Sequence, residues 1–213
     1  YWNALSSLLK DSLRRKFSNQ RVVDIVNSID RTTDAILSSM ESPRRPRFTS
    51  KGMVVGYVQS GKTANFSALI SKASDAGYRF IVVLTGIHDV LRKQTQVRLD
   101  KELTGINETG EPQFDFVPPL SHNKKWQRLT NASPDIRSGE FSLVGKDPFI
   151  NAVDPDRPML AIIKKNPTVL RKLISWITDT INDEIKNTYP ILIIDDESDL
   201  ASINTRANLP RNI

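Results

Sequence analysis

The chain has 213 residues, 38% hydrophobic and 25% charged, the composition of a folded globular protein rather than a disordered one. It has no cysteine and two histidines, His88 and His122, which excludes disulfide scaffolds, thiolate-held zinc or iron–sulfur clusters and histidine-rich metal sites. No apolar run approaches the roughly 18 residues of a membrane span and no basic-then-apolar leader opens the sequence, so a cytoplasmic protein without membrane contact is expected.

The net charge of +6 is unevenly placed. Residues 1–51 carry ten Lys/Arg against five Asp/Glu, a sign that suits a polyanionic partner. The chain opens at Tyr1 and stops at Ile213 soon after an acidic motif, and it reads as a piece of a longer protein.

Trp2, Leu5, Leu8, Leu9, Leu13 and Phe17 recur at helical spacing and predict an amphipathic helix over 2–17. After Ser18, a second helix follows from Val22, Ile25, Val26, Ile29, Ile36, Leu37 and Met40, which trace one face. Pro43 and Pro46, among Arg44, Arg45 and Arg47, then break it and suggest a linker. From residue 52 short apolar runs alternate with helical segments. Strands are expected at Met53–Val58, Phe80–Thr85, Phe114–Val117, Met159–Lys164 and Ile191–Asp195. Helices are expected at Thr63–Ala76, closed by Gly77, then at Asp89–Leu103 and Thr168–Lys186. Strands that are apolar throughout belong in a sheet buried on both faces, and their alternation with helices predicts a doubly wound α/β fold with parallel strands.

Gly56-Tyr57-Val58-Gln59-Ser60-Gly61-Lys62-Thr63 satisfies the phosphate-loop pattern between an expected strand and an expected helix. The pattern arises by chance in about one chain of this length per hundred, and the strand–helix context makes it rarer. Its chemistry explains its residues. Gly56 and Gly61 let the backbone curl, so that the N–H groups of Val58, Gln59, Ser60, Gly61, Lys62, Thr63 and Ala64 turn toward phosphate oxygens at a helix N-terminus. Lys62 reaches the β- and γ-phosphates of ATP, and the Thr63 hydroxyl ligates Mg²⁺. A bare strand–helix turn is the alternative.

The expected companion of such a loop is a buried strand ending in carboxylates, which Ile191-Leu192-Ile193-Ile194-Asp195-Asp196-Glu197-Ser198-Asp199 provides. Its acids emerge at the C-terminal strand end, where ligands bind in open α/β sheets. Asp196 is the first choice for the Mg²⁺ shell and Glu197 for orienting or deprotonating water. Asp195 takes the metal role if the strand ends one residue earlier. A solvated acidic turn is the alternative.

Two further strand ends are candidates for gripping a nucleic-acid backbone. Thr85 and Gly86, followed by Arg92 and Gln96 on a helix, form a strand-loop element like that of superfamily-two helicases. Lys164 and Lys165 end another strand on the same expected edge. A plain βα turn and a helix-entry turn explain both equally well. Trp126, flanked by Lys124, Lys125 and Arg128, either stacks on a base or packs beneath its own loop. His88 is expected to cap a helix or lie at the surface. Pro155-Asp156 with Glu184-Ile185-Lys186 fits a loose nuclease pattern, but Glu184 and Lys186 end an expected helix and read as surface charges.

Taken together, Val55–Asn65, Leu84-Thr85-Gly86-Ile87-His88, Ile163-Lys164-Lys165-Asn166 and Ile194–Asp199, continued by Ala201-Ser202-Ile203-Asn204-Thr205, resemble the Z-one domain family over about residues 50–205. That family is described as an endonuclease domain, and is a superfamily-two-like phosphate-loop ATPase module of bacterial restriction or phage-defence proteins. The resemblance implies a RecA-like lobe over 49–213, mainly parallel in its sheet, preceded by a helical extension over 1–48. It further implies ATP-driven work on DNA with Mg²⁺, a second RecA-like lobe supplying an arginine finger, and GHKL-type ATPase or nuclease partners. A metal-dependent DNA endonuclease and a phosphate-loop regulatory module without nucleic acid are the other readings.

Overall fold

The computed structural model describes residues 1–55, 62–107, 109, 111–113, 115–117, 125–132, 154, 156–180 and 189–196. Two helices lead, α1 (Trp2–Arg14) and α2 (Asn19–Ser39), separated by Ser18, whose hydroxyl accepts the Arg21 N–H as an N-cap. Helix α3 (Lys62–Ala76) runs into strand β1 (Phe80–Thr85) through Gly77, Tyr78 and Arg79. Gly77 sits at φ 115°, the conformation that ends a helix without a Cβ penalty. Helix α4 (Asp89–Leu99) widens into a π-type turn over Asp100–Thr104. Short strand β2 (Gln127–Arg128), strand β3 (Met159–Lys164), helix α5 (Pro167–Thr180) and strand β4 (Ile191–Asp195) complete the described elements.

The four strands form one parallel sheet in the order β2-β3-β1-β4, so the fold is α/β with a small parallel sheet flanked by helices. Strand β1 is central to the site. It pairs Thr85 with Lys164 of β3 on one side and Leu84 with Asp195 of β4 on the other. Alternation sends Ile81, Val83, Leu160 and Ile162 into one core with Leu5, Ala68, Ile70, Ala73, Leu99 and Trp126. Phe80, Val82, Met159, Ala161 and Ile163 enter a second core on the opposite face with Val169 and Leu173 of α5.

The N-terminal helices share the first core. Lys72 of α3 is 7% exposed, and its Nζ pairs with Asp30 at 2.6 Å and Asp34 at 2.5 Å on α2, lying 5.0 Å from the Trp2 ring centroid. The proline segment is held as well. Tyr78 Oη donates to the Glu41 carbonyl at 2.8 Å, and Phe48 meets the Tyr78 ring edge-on. Ser67, Ala68, Ser71, Ala73 and Ser74 are all buried on α3, small residues that let it lie between α2 and the sheet.

Two expected strands change. Met53, Val54 and Val55 are described, and they are extended chain at 85%, 65% and 81% exposure outside the sheet; the rest of that expected strand, 56–58, lies outside the described residues. A strand requires a ladder partner, and no described residue offers one there. Asp115–Val117 forms a turn rather than a strand, with Val117 N–H donating to the Lys101 carbonyl, while Phe114 lies outside the described residues. The end of the helix expected to reach Lys186 also falls outside them. Among the described residues no helix is long and apolar enough to cross a membrane.

Gly105 closes the π-type turn at φ 75°, and a Cβ built on it would stand 2.6 Å from the Val117 carbonyl oxygen. Gly105→Ala therefore meets both left-handed strain and a backbone clash. Urea unfolding of the variant is expected to show a loss of about 1–3 kcal/mol, with little change in slope.

Candidate functional site

The chain connectivity brings the start of α3 and the acidic end of β4 to one edge. Helix α3 leads into the start of β1 through only three residues and covers that sheet face, so its first turn at Lys62 lies toward the C-terminal end of β1. The acidic end of β4 is at that same edge, in register with Leu84 of β1. Lys62 and Thr63 begin the helix. Their side chains, together with Gly56, Val58, Gln59, Ser60 and Gly61 of the loop and Glu197 beyond β4, lie outside the described residues.

Asp195 and Asp196 are separated by the strand's alternation. Asp195 shares a face with Ile191 and Ile193, on the α5 side, where its Oδ1 lies 2.5 Å from Lys165 Nζ. Asp196 extends the ladder, its N–H donating to the Leu84 carbonyl at 2.8 Å, and alternation assigns it to the face of Leu192 and Ile194, which α3 covers. The choice between the two carboxylates was open in the sequence. Of the two, Asp196 is the one on the face that α3 covers. Ala64 and Asn65 follow in the first turns of that helix, and Asn65 Oδ1 is enclosed with no hydrogen-bond partner among the described residues. Among the described residues no three His, Asp or Glu side chains gather into a metal cluster by themselves.

The residues expected to grip a nucleic-acid backbone occupy the interior instead. Thr85, Arg92 and Gln96 are 2%, 0% and 0% exposed, and Gly86 is buried. Thr85 Oγ1 donates to the Ile163 carbonyl. Arg92 pairs with Asp89 at 3.0 Å and donates to the Asn131 carbonyl at 3.0 Å. Burial pushes the Asp89 carboxyl up, but the hydrogen bonds from Lys93 and Arg92 outweigh it and hold it below its ordinary value. A phosphate has no access to side chains enclosed in this way. Lys165 is likewise 6% exposed and engaged with Asp195, whereas Lys164 is half-buried on the face opposite it.

What the sequence left unmarked is the polar network that fastens α4 to the sheet. Gln96 Nε2 donates to Asp100 Oδ1 at 3.1 Å, and Thr130 Oγ1 donates to Gln96 Oε1 at 2.6 Å. That same Thr130 hydroxyl accepts the Ile162 N–H of β3 at 2.9 Å, in place of a backbone carbonyl. Arg128 Nη1 lies 3.0 Å from Asp100 Oδ2 and also donates to the Asn107 carbonyl. The only available signal was Gln96 and Asp100 four apart on one helical face, too common a pairing to single out.

Other candidates resolve simply. Trp126 is 5% exposed and meets the Tyr1 ring edge-on at 5.3 Å, so it packs in the core. His88 holds the N-cap position of α4 without a side-chain capping bond. Asp156 is exposed in a turn, while Glu184 and Lys186 lie outside the described residues. Compared with models of protein families, with curated proteins and with solved structures, the chain matches none.

The buried network makes stability pH-dependent. Burial pushes the Asp100 carboxyl up to about 6 from its ordinary 3.8, against the pull of Arg128 and the hydrogen bonds from Gln96 and Thr104. The folded state thus holds this proton more tightly than the unfolded chain. The group's contribution is fully present below about pH 4 and is lost as pH rises through about 6. Urea unfolding between pH 4 and 7 is expected to show a smaller decline with rising pH for Asp100→Asn than for the wild type.

Proposed function

We propose that the chain is the nucleotide-binding lobe of a helicase-like, nucleic-acid-dependent ATPase, with a RecA-like phosphate-loop core. The observation that carries this reading is the shared sheet edge: Asp196 falls on the face covered by α3, at the end where that helix begins with Lys62 and Thr63. In this reading the loop from Gly56 to Ala64 cradles the phosphates of ATP, and Lys62 meets their charge. Thr63 and Asp196 hold Mg²⁺, and Glu197 orients the attacking water. Asp195 leaves the metal shell because Lys165 engages it.

The nucleic-acid part of the proposal rests on different residues from the strand-loop element. Thr85, Arg92 and Gln96 are interior. Exposed basic residues include Arg14, Arg15, Lys16, Arg21 and Arg31 on or beside α1 and α2, Arg44, Arg45, Arg47 and Lys51 in the following segment, Lys125, and Arg171 and Lys172 on α5. Such a distribution suits sequence-independent phosphate contact, with strong salt dependence. The resemblance to the Z-one family supports DNA as the nucleic acid and restriction or phage defence as the setting. It also supports a second RecA-like lobe as the source of the arginine finger. Without that arginine, hydrolysis is slow, since such a residue contributes on the order of 10³–10⁵ in rate.

Calorimetry with Mg·ATP, with and without short single- and double-stranded DNA, tests the reading. Lys62→Ala is expected to weaken binding by about tenfold or more, and Asp196→Asn to remove most of the dependence on Mg²⁺. DNA is expected to change the nucleotide affinity of the wild type in low salt. Wild-type binding no tighter than that of Lys62→Ala would overturn the proposal.

A further inference from the structure

The turn between α1 and α2 concentrates positive charge. Residues 10–21 hold Lys10, Arg14, Arg15, Lys16 and Arg21 against one carboxylate, Asp11. The acids around the turn are already engaged. Asp11 pairs with Arg14 at 3.1 Å, and Asp24 accepts from the Gln20 amide at 3.0 Å. Asp115, whose charged form Lys101 stabilises foremost and Arg15 more weakly, pairs with Lys101 at 2.6 Å. Arg15, Lys16 and Arg21 are exposed and have no ion-pair partner among the described residues.

An aromatic ring sits within this charge. By spacing Phe17 belongs to the apolar series of α1, but the helix ends at Arg14, and the ring is 40% exposed while Val22 and Val26 of α2 are buried. The turn is ordered by its own backbone. The Lys16 and Phe17 N–H groups both donate to the Leu13 carbonyl at 2.9 Å, and Ser18 caps α2. The Arg21 guanidinium lies over the ring, 5.6 Å from its centroid. Cations alone would meet any polyanion; the ring narrows the partner. Bases stack on exposed aromatic rings, with arginine adding to the contact, and an unpaired strand has base faces to offer where a duplex has already stacked them. An anionic membrane would instead take up a broad apolar face. Around this turn the large exposed apolar side chains are Phe17 and Val23 alone among the described residues.

We infer that the α1–α2 turn is a contact site for single-stranded nucleic acid, with Phe17 stacking on a base and Arg15, Lys16 and Arg21 meeting the neighbouring phosphates. The inference deepens the nucleic-acid part of the proposed function and rests on it. Fluorescence anisotropy with labelled oligo(dT) and with an abasic strand of the same length tests it, because the abasic strand keeps the phosphates and lacks the bases. The wild type is expected to bind oligo(dT) about fivefold or more tighter than the abasic strand. Phe17→Ala is expected to weaken oligo(dT) binding about fivefold or more, to leave abasic binding within about twofold, and to keep the salt dependence; Phe17→Trp is expected to retain tight binding. Arg15→Ala and Lys16→Ala are each expected to weaken both strands and to lower the slope of log affinity against log salt by about 0.7. Should Phe17→Ala lose its cooperative melting transition, the two charge variants and the wild-type comparison of the two strands still decide the matter. Equal losses on both strands in Phe17→Ala would overturn the inference. So would Phe17-dependent binding to vesicles of phosphatidylserine and phosphatidylcholine without a preference for oligo(dT) over the abasic strand. Oligo(dT) binding that none of the three alanine variants changes would overturn this inference alone, whereas a wild type that binds neither strand in low salt would overturn the nucleic-acid part of the proposed function with it.

Discussion

Strands β1 and β3 are apolar on both faces, and a sheet built from such strands has to be covered twice. Phe80, Val82, Met159, Ala161 and Ile163 demand α5; Ile81, Val83, Leu160 and Ile162 demand the helices of the N-terminal half. Each large side chain buried in this way contributes about 1.5–3 kcal/mol, whereas exposed pairs such as Arg14–Asp11 contribute about 0–1. The cover is therefore set by apolar area, and ion pairs adjust its register. Lys72 shows the adjustment. With two aspartates of α2 and the Trp2 ring around its Nζ, it fixes where α2 and α1 sit along α3.

The same requirement determines where chemistry can occur. Helix α3 is sandwiched, with small buried residues along much of its length, so it has little freedom to slide. A helix that covers a parallel sheet and leads directly into the next strand runs back along it. Its beginning thus returns to the edge where the strands end. Lys62 at the start of α3 and Asp196 are about 130 residues apart in sequence, and this antiparallel return of a covering helix is what brings them to one edge. Strand β4 has a second consequence. Only β1 pairs with it among the described residues, and Ile193 is 60% exposed, although its apolar sequence resembles that of the fully covered strands.

Much of this was legible in the chain. Strands β1, β3 and β4 fall where their apolar runs predict them, because runs of that kind are local and a buried parallel strand needs little else. Helices α1 and α2 followed from periodicity, and Ser18 marked their boundary by its capping chemistry. Strand β2 was not legible, since Gln127-Arg128 carries no apolar pattern and pairs only because Trp126 and Leu129 on either side are buried. Met53–Val55, the described part of the expected Met53–Val58 strand, shows the reverse failure. Its composition is right for a strand, but a ladder needs a partner, which composition cannot supply.

The candidate site divides along the same line. The phosphate-loop pattern could be recognised in the sequence because it is a set of residue types at fixed spacing, while residues 56–61 lie outside the described residues. The nucleic-acid contacts were misread because the burial of Arg92 and Gln96 depends on residues some 34 to 39 positions away, Thr130 and Asn131. Polar residues on a helix after a strand look the same whether they face solvent or hold that helix to the sheet. The hydrogen bonds decide it: once the Gln96 amide and the Arg92 guanidinium are enclosed, leaving either unpaired would cost about 1–3 kcal/mol or more, so the fold must provide partners inside. Lys165 obeys the same rule one strand away, and its partner is a carboxylate of the acidic motif itself. The ion pair joins the ends of two strands that do not pair with each other, so the sequence names both residues without showing that they meet.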